Sequence, residues 1–220
     1  MNKLLYLFAF SLLAVSAWTY CDTRKTITWQ LKDTKLIGVF RPVILGNPAI
    51  KAEGKDSSIY FNGTNDGLII SSIPIEGWSA FSIEVLFKPD GDGTPAPRFI
   101  HFEDTALNRG TFELRLTKDG WYFDAFLKNG KTNKGLALID STKLHPANRW
   151  YWAALVFDGK KMYSYINGQK EGEGEIDFPP VTTGRISLGV RLNKVNWFKG
   201  QISEIRFHQA KLDAKTLQHF

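Results

Sequence analysis

Five dipeptides constrain this chain more than any other feature: Asn62-Gly63, Asp119-Gly120, Asn129-Gly130, Asp158-Gly159 and Asn167-Gly168. Asn-Gly and Asp-Gly supply the positive φ that tight hairpin turns require, and each lies beside strand-like sequence. Around them run alternating segments: SIYF (58–61), FSIEVLFK (81–88), RFIHFE (98–103), TFELRLT (111–117), WYFDAFLK (121–128), WYWAALVF (150–157), KMYSYI (161–166), RISLGV (185–190) and QISEIRF (201–207). A period of two sends Ile83, Val85 and Phe87 to one face and Glu84, Leu86 and Lys88 to the other, and it sets Phe112, Leu114 and Leu116 against Glu113 and Arg115. Such a chain is predicted to be all-β, built from antiparallel sheets with one face on a core. Helical pattern is confined to LDAKTLQHF, so residues 213–220 are expected to form a short terminal helix, capped by Asp213, or a tail.

Hydrophobic residues make up 43% of the 220, with 7 Trp and 16 Phe, enough for a wide core between two sheets, so disorder is excluded. No repeat or linker divides the sequence, which favours one domain. Residues 22–51 are less periodic. Their TWQLK and FRPVIL pieces are expected to add an edge strand, with Pro42 and Pro48 in edge or loop positions. At the start, Lys3, the apolar run LLYLFAFSLLAV and then Ser16 and Ala17 follow the order of a signal peptide over 1–17, with cleavage as late as residue 21 allowed. Export to the outside or the cell envelope follows, and the run is too short to leave a transmembrane anchor. Cys21 is the only cysteine, so no intrachain disulfide forms. Lipidation at Cys21 is disfavoured by the bulky Trp18, Thr19 and Tyr20 before it.

The formal charge is +6, and loss of Lys3 with the signal leaves +5. The segment 185–200 holds Arg185, Arg191, Lys194 and Lys199 with no acidic residue, and Trp197 and Phe198 lie among them. A solvated basic rim and an anionic-ligand surface are the competing readings. Export argues against nucleic acid as the partner.

Three passages, SIYFNGTNDGLIISSIPIEGWSAFSIEVLFKPDG, NRWYWAALVFDGKKMYSYINGQKEG and ISLGVRLNKVNWFKGQISEIRFHQAKL, resemble in order and spacing the laminin-G-type domains of the concanavalin A-like superfamily. The resemblance covers residues 52–212 and implies a jelly-roll sandwich of two antiparallel sheets. It places Trp150 in the core. It leaves function open among lectins, carbohydrate-binding modules, glycoside hydrolases and polysaccharide lyases.

The paired-carboxylate Glu-x-Asp-x-x-Glu motif of the superfamily's hydrolases is absent. Lyase chemistry asks for an Arg to neutralise a uronate and a His or Tyr to take its proton, which nominates His101, Arg115 and His145, with Tyr122 beside them. The competing reading makes His101 a satisfied sheet histidine and pairs Arg115 with a neighbouring Glu. For glycan binding, aromatic faces stack on sugars and polar groups bind hydroxyls or acids, which nominates His101, Glu103, Arg115, Trp152, Arg191, Asn193, Trp197 and Lys199. The leading expectation is a carbohydrate-binding protein for a glycan or anionic polysaccharide, with a carbohydrate-active enzyme as the alternative. No motif demands a cofactor. Calcium, which the resemblance brings in, would look to Asn62, Asn65, Asp66, Asp90, Asp92 or Glu204, although such residues more often serve turns.

Overall fold

The computed structural model describes residues 25–53 and 56–220. The predicted signal peptide and Cys21 lie outside the described residues. The described residues form fifteen strands: β1 (Thr26–Gln30), β2 (Val43–Leu45), β3 (Ala49–Glu53), β4 (Asp56–Asn62), β5 (Gly67–Ile70), β6 (Phe81–Pro89), β7 (Arg98–Asp104), β8 (Arg109–Thr117), β9 (Gly120–Lys128), β10 (Gly135–Ile139), β11 (Tyr151–Phe157), β12 (Lys161–Ile166), β13 (Gln169–Glu175), β14 (Gly184–Leu188) and β15 (Lys199–His208). They build two antiparallel sheets. An eight-stranded sheet runs β13-β12-β11-β6-β15-β4-β3, with β1 joining β15, and a seven-stranded sheet runs β10-β9-β8-β7-β14-β5-β2.

All nine alternating runs are strands, and residues 25–53 feed both sheets through β1, β2 and β3, three strands where one was expected. The turn dipeptides sit at chain reversals. Asn167 and Gly168 both have positive φ, 47° and 74°, and join β12 to β13 as a two-residue hairpin turn. The β8–β9 turn closes on the Thr117–Gly120 pair, so its loop residues are Lys118 and Asp119, one position earlier than the Asp119-Gly120 signal. Asn62-Gly63 makes no hairpin: β4 and β5 belong to different sheets, and Asn62 Oδ1 organises the crossover by accepting the amides of Thr64, Asn65 and Asp66.

Inward side chains of both sheets meet in one core. Phe87 of β6 stacks on Phe99 of β7, with ring centroids 4.4 Å apart, and Phe112, Trp121, Phe123 and Phe198 extend this aromatic centre. Each such pair contributes about 0.5–1.5 kcal/mol beyond its burial.

The outer faces of the two sheets differ. Residues 209–220 fold back over the eight-stranded sheet, where Leu217 packs on Ala154, Val156 and Tyr165. There Leu212 N donates to Ser82 Oγ (2.9 Å) and Gln218 N to Glu84 Oε1 (2.6 Å). This segment forms no helix. The Asp213 carbonyl accepts Thr216 N (2.8 Å) and Leu217 N (3.3 Å), a single turn, because so short a stretch gains more from docking its apolar residues than from helix propagation. The outer face of the seven-stranded sheet is not covered by this segment and carries a dense set of ionisable groups.

Candidate functional site

On β9, β8, β7 and β14 the residues turned away from the core line up in cross-strand rows fixed by the ladder. One row is Lys128, Arg109, Glu103 and Arg185. The next is Phe126, Thr111, His101 and Ser187. A third is Asp124, Glu113 and Arg98, and beyond it Tyr122 stands opposite Arg115. Thr111, His101 and Ser187 are short or buried side chains, whereas the flanking rows carry long charged ones. The face is therefore a trough that crosses the strands, with a cavity of about 210 Å³ lined by Arg98, Arg109, Glu113, Arg115, Asp124 and Arg191 among others. Arg191 reaches it from the loop after β14. That loop is pinned by Ser187 Oγ donating to Val190 O (2.6 Å), Lys194 N to Arg191 O (2.8 Å) and Arg98 N to Asn196 O (3.0 Å).

Charge in the trough is tightly arranged. Arg98 Nη2 lies 2.6 Å from Glu113 Oε2, and Arg115 donates from Nε (3.0 Å) and Nη2 (2.8 Å) to Asp124 Oδ2. The same Arg115 Nη2 is 3.0 Å from Glu113 Oε1, so one guanidinium nitrogen touches both carboxylates. Burial, and secondly the Asp124 charge, push the Glu113 carboxyl up to about 7 against the pull of the arginines. Burial also raises Asp124, while the arginines pull it down. Burial, reinforced by Arg191, Arg109 and Arg98, holds His101 down at about 3, so its imidazole is neutral at neutral pH. Hydrogen-bonding capacity remains unused among these buried groups: Arg98 Nε, both His101 ring nitrogens and Asp124 Oδ1 have no hydrogen-bond partner among the described residues, and Glu113 Oε1 has only its ion-pair contact with Arg115. Buried polar atoms without partners cost free energy, about 1–3 kcal/mol each. The four arginines and two carboxylates that line the cavity suit a ligand bearing hydroxyl or carboxylate groups.

Sequence-predicted residues divide between this trough and other places. His101, Glu103, Arg115 and Arg191 share the trough face, and Arg115 does pair with Glu113, as the competing reading had it, and with Asp124 as well. His101 is not a satisfied sheet histidine, since neither ring nitrogen has a partner. Asn193 is exposed two residues beyond Arg191. Trp197 is half-buried, and its carbonyl accepts Thr94 Oγ1 (3.1 Å). Lys199 pairs with Asp92 (2.6 Å) at the start of β15. Trp152 lies on the opposite, eight-stranded face beneath the Arg206 guanidinium, 5.0 Å from its ring. His145 stacks on the inward Trp121, centroids 4.7 Å apart, and its Nε2 meets Glu171 Oε1 at 2.7 Å, so it does not join His101 and Arg115. Trp150 is half-buried and lines a cleft on the eight-stranded face with Leu86, Ser203 and Glu204; it is not a core residue, because it precedes β11 and falls on the outer register with Trp152. Glu113 is readable from the sequence only as a polar-face residue of TFELRLT, and Arg98, Arg109 and Asp124 carry no motif, yet the run of outward polar residues at 109, 111, 113 and 115 on β8 is a readable signal.

The calcium candidates do not fit a shared site. Asp66 Oδ1 accepts Asn47 N (2.7 Å) and its Oδ2 accepts Asn62 N (3.2 Å). Asp90 takes the Tyr60 hydroxyl, Asp92 takes Lys199, and Glu204 takes Gln30 (2.5 Å) and Arg206. Their oxygens serve turns and ion pairs, and no group of three or more His, Cys, Asp or Glu among the described residues could hold a metal ion.

No curated protein matches the chain by sequence. Several solved structures share its fold at low identity. Domain 4 of AbnA, a GH43 extracellular arabinanase from Geobacillus stearothermophilus, in complex with arabinotriose, aligns at TM-score 0.64 and 20% identity, covering 86% of this chain and 93% of that one. The botulinum neurotoxin serotype D binding domain aligns at TM-score 0.63 and 15% identity over 86% of this chain, which spans 49% of that structure. A heptameric SAP-like pentraxin from Limulus polyphemus aligns at 0.57 and 16%, covering 74% and 81%. A laminin-G-type family model matches residues 55–218, most of the sandwich just described, and on that match the chain belongs to the concanavalin A-like lectin/glucanases superfamily.

Proposed function

We propose that this protein is an exported carbohydrate-binding protein that holds an acidic glycan in the trough of its seven-stranded sheet. The observation that carries the reading is the cavity where Arg98, Arg109, Arg115 and Arg191 gather around Glu113 and Asp124. Arg98 and Arg115, whose side chains keep some exposure, offer charge-assisted hydrogen bonds to a uronate or other sugar carboxylate. Arabinotriose bound to an arabinanase domain of the same fold supports a glycan as ligand. The leading segment, with the order of a signal peptide, supports export, and no helix among the described residues is long and apolar enough to cross a membrane. Affinity electrophoresis through gels containing neutral and uronate-containing polysaccharides tests the reading. Retardation by the acidic polymers, lost in Arg115→Ala, is the expected result; equal mobility in every gel overturns it.

One observation favours a second reading, an enzyme on the same ligand. Glu113, held near 7, faces Asp124 across the β8–β9 ladder, so an acid able to give a proton at neutral pH stands beside a second carboxylate. New reducing ends or an unsaturated uronate chromophore after incubation with the same polymers would establish this reading, and their absence would remove it.

A further inference from the structure

Beyond the Arg191 side of the trough lies a second hollow, of about 410 Å³, lined by Glu103, Thr105, Leu107, Gly184, Arg185 and Leu192 among others. The two hollows share a wall. Arg191 lines the first and the adjacent Leu192 the second, while the loose contact of Arg109 Nη1 with Glu103 Oε2, at 4.0 Å, links them along the first cross-strand row. That row sets Lys128, Arg109 and Arg185 around the single acid Glu103 on four adjacent strands, about 4.8 Å apart. At the rim of the second hollow, Leu107 keeps a left-handed backbone (φ 65°) and exposes 58% of its surface. The Asp104 carboxylate holds this bend by accepting the amides of Ala106 (2.9 Å) and Asn108 (2.8 Å). The hollow's one cation is Arg185; of its two acids, Asp104 is buried and spends its oxygens on the amides of Ala106, Asn108 and Thr182, which leaves Glu103 and Arg185 to face a ligand. An apolar side chain fixed at the edge of such a hollow matches the mixed surface of a sugar, which has a C–H face and polar edges.

We infer that the trough takes an internal stretch of a linear acidic polysaccharide lying across the strands, with a second carboxylate subsite at Arg185 in the hollow rimmed by Leu107. This inference rests on the glycan-binding reading above. Arg98 and Arg115 hold one acidic sugar, the chain passes over the Arg109–Glu103 contact, and Arg185 meets a later carboxylate. Glu103 then sets selectivity by repelling a carboxylate placed midway and accepting a hydroxyl there.

Isothermal titration of the full chain with galacturonate, mannuronate, guluronate and glucuronate oligomers of two and six sugars tests it. For the series that binds, the hexamer is expected to bind roughly tenfold or more tighter than the dimer, as one added charge-assisted contact implies. Arg185→Ala, at an exposed position, removes that gain and leaves dimer affinity unchanged, and Leu107→Ser weakens the hexamer alone. Arg115→Ala weakens both lengths. Equal binding of dimer and hexamer, or an Arg185→Ala variant that keeps the length gain or weakens both lengths alike, overturns the second subsite while glycan binding stands. Failure of the unaltered protein to bind any series at either length overturns the glycan reading itself and the subsite with it.

Discussion

Glu113 and His101 sit on adjacent strands of the trough with opposite displacements, and this gives the protein a pH profile that two substitutions would separate. The folded state holds Glu113 up at about 7 against its ordinary 4.5, so between those values the native protein binds the proton the unfolded chain lacks. Stability from this group is present in full below 4.5 and is lost as pH rises to 7, about 3 kcal/mol at 1.36 kcal/mol per pH unit. For His101 the native value is about 3 against 6.5, and here the unfolded chain binds the extra proton. Its contribution is present in full above 6.5 and is lost as pH falls, about 3 kcal/mol by pH 4.5. Both side chains are almost wholly buried, so solvent screening takes little from either figure. Over the shared window the two slopes nearly cancel, and the unfolding free energy contributed by the pair is flat. Glu113→Gln leaves the histidine slope alone: urea unfolding followed by Trp fluorescence should show that variant losing about 3 kcal/mol, relative to the native protein, from pH 6.5 to 4.5. His101→Gln should show the reverse, gaining about as much. Parallel profiles for the native protein and both variants would mean that neither group is perturbed by burial, and the electrostatic account of the trough would be wrong.

Arg115→Ala should abolish retardation in acidic-polysaccharide gels, whereas Trp150→Ala, on the far sheet, should leave it within about twofold of the native value, since a contact never made carries no binding energy. Gly110→Ala would put a Cβ 2.3 Å from Phe102 Cζ and 2.9 Å from Leu127 Cδ2 between β7, β8 and β9, and should lower the unfolding free energy in urea by about 1–3 kcal/mol. Leu217→Ala removes the side chain that packs on Ala154, Val156 and Tyr165, and should cost about 2–4 kcal/mol in the same measurement, with earlier proteolysis of residues 212–220.

Strands with an apolar face could be read directly, because burial writes alternation into the sequence. β13, QKEGEGE, has no apolar residue to alternate: it is an edge strand, where Gly172 and Gly174 make room for Leu138 and Leu136 of β10. β5 is short and its fit depends on β14 and β2, distant in the chain, whereas β10 is a five-residue edge strand held by the neighbouring β9. The site was half legible. His101, Glu103 and Arg115 stand out as polar residues on otherwise apolar strands, but which rows they join depends on the β7–β8 and β8–β9 registers, including the bulge between Arg98 and Ile100, and that is a tertiary property. Trp152 and Trp150 misled because an aromatic in a strand looks the same whether its outer face meets solvent, a cation or a folded-back tail. The 212–220 segment suggested a helix by local propensity, and docking against Ser82 and Glu84 overrode it.

Both ends of the described sandwich emerge from one side. β1 lies along β15, Gln209 N donates to Lys25 O (2.8 Å), and the last residues rest on the outer face of the eight-stranded sheet. The first and last described residues therefore both belong to the sheet opposite the trough. With residues 209–220 docked on the eight-stranded sheet, the arginine-lined face of the other sheet is left clear of them.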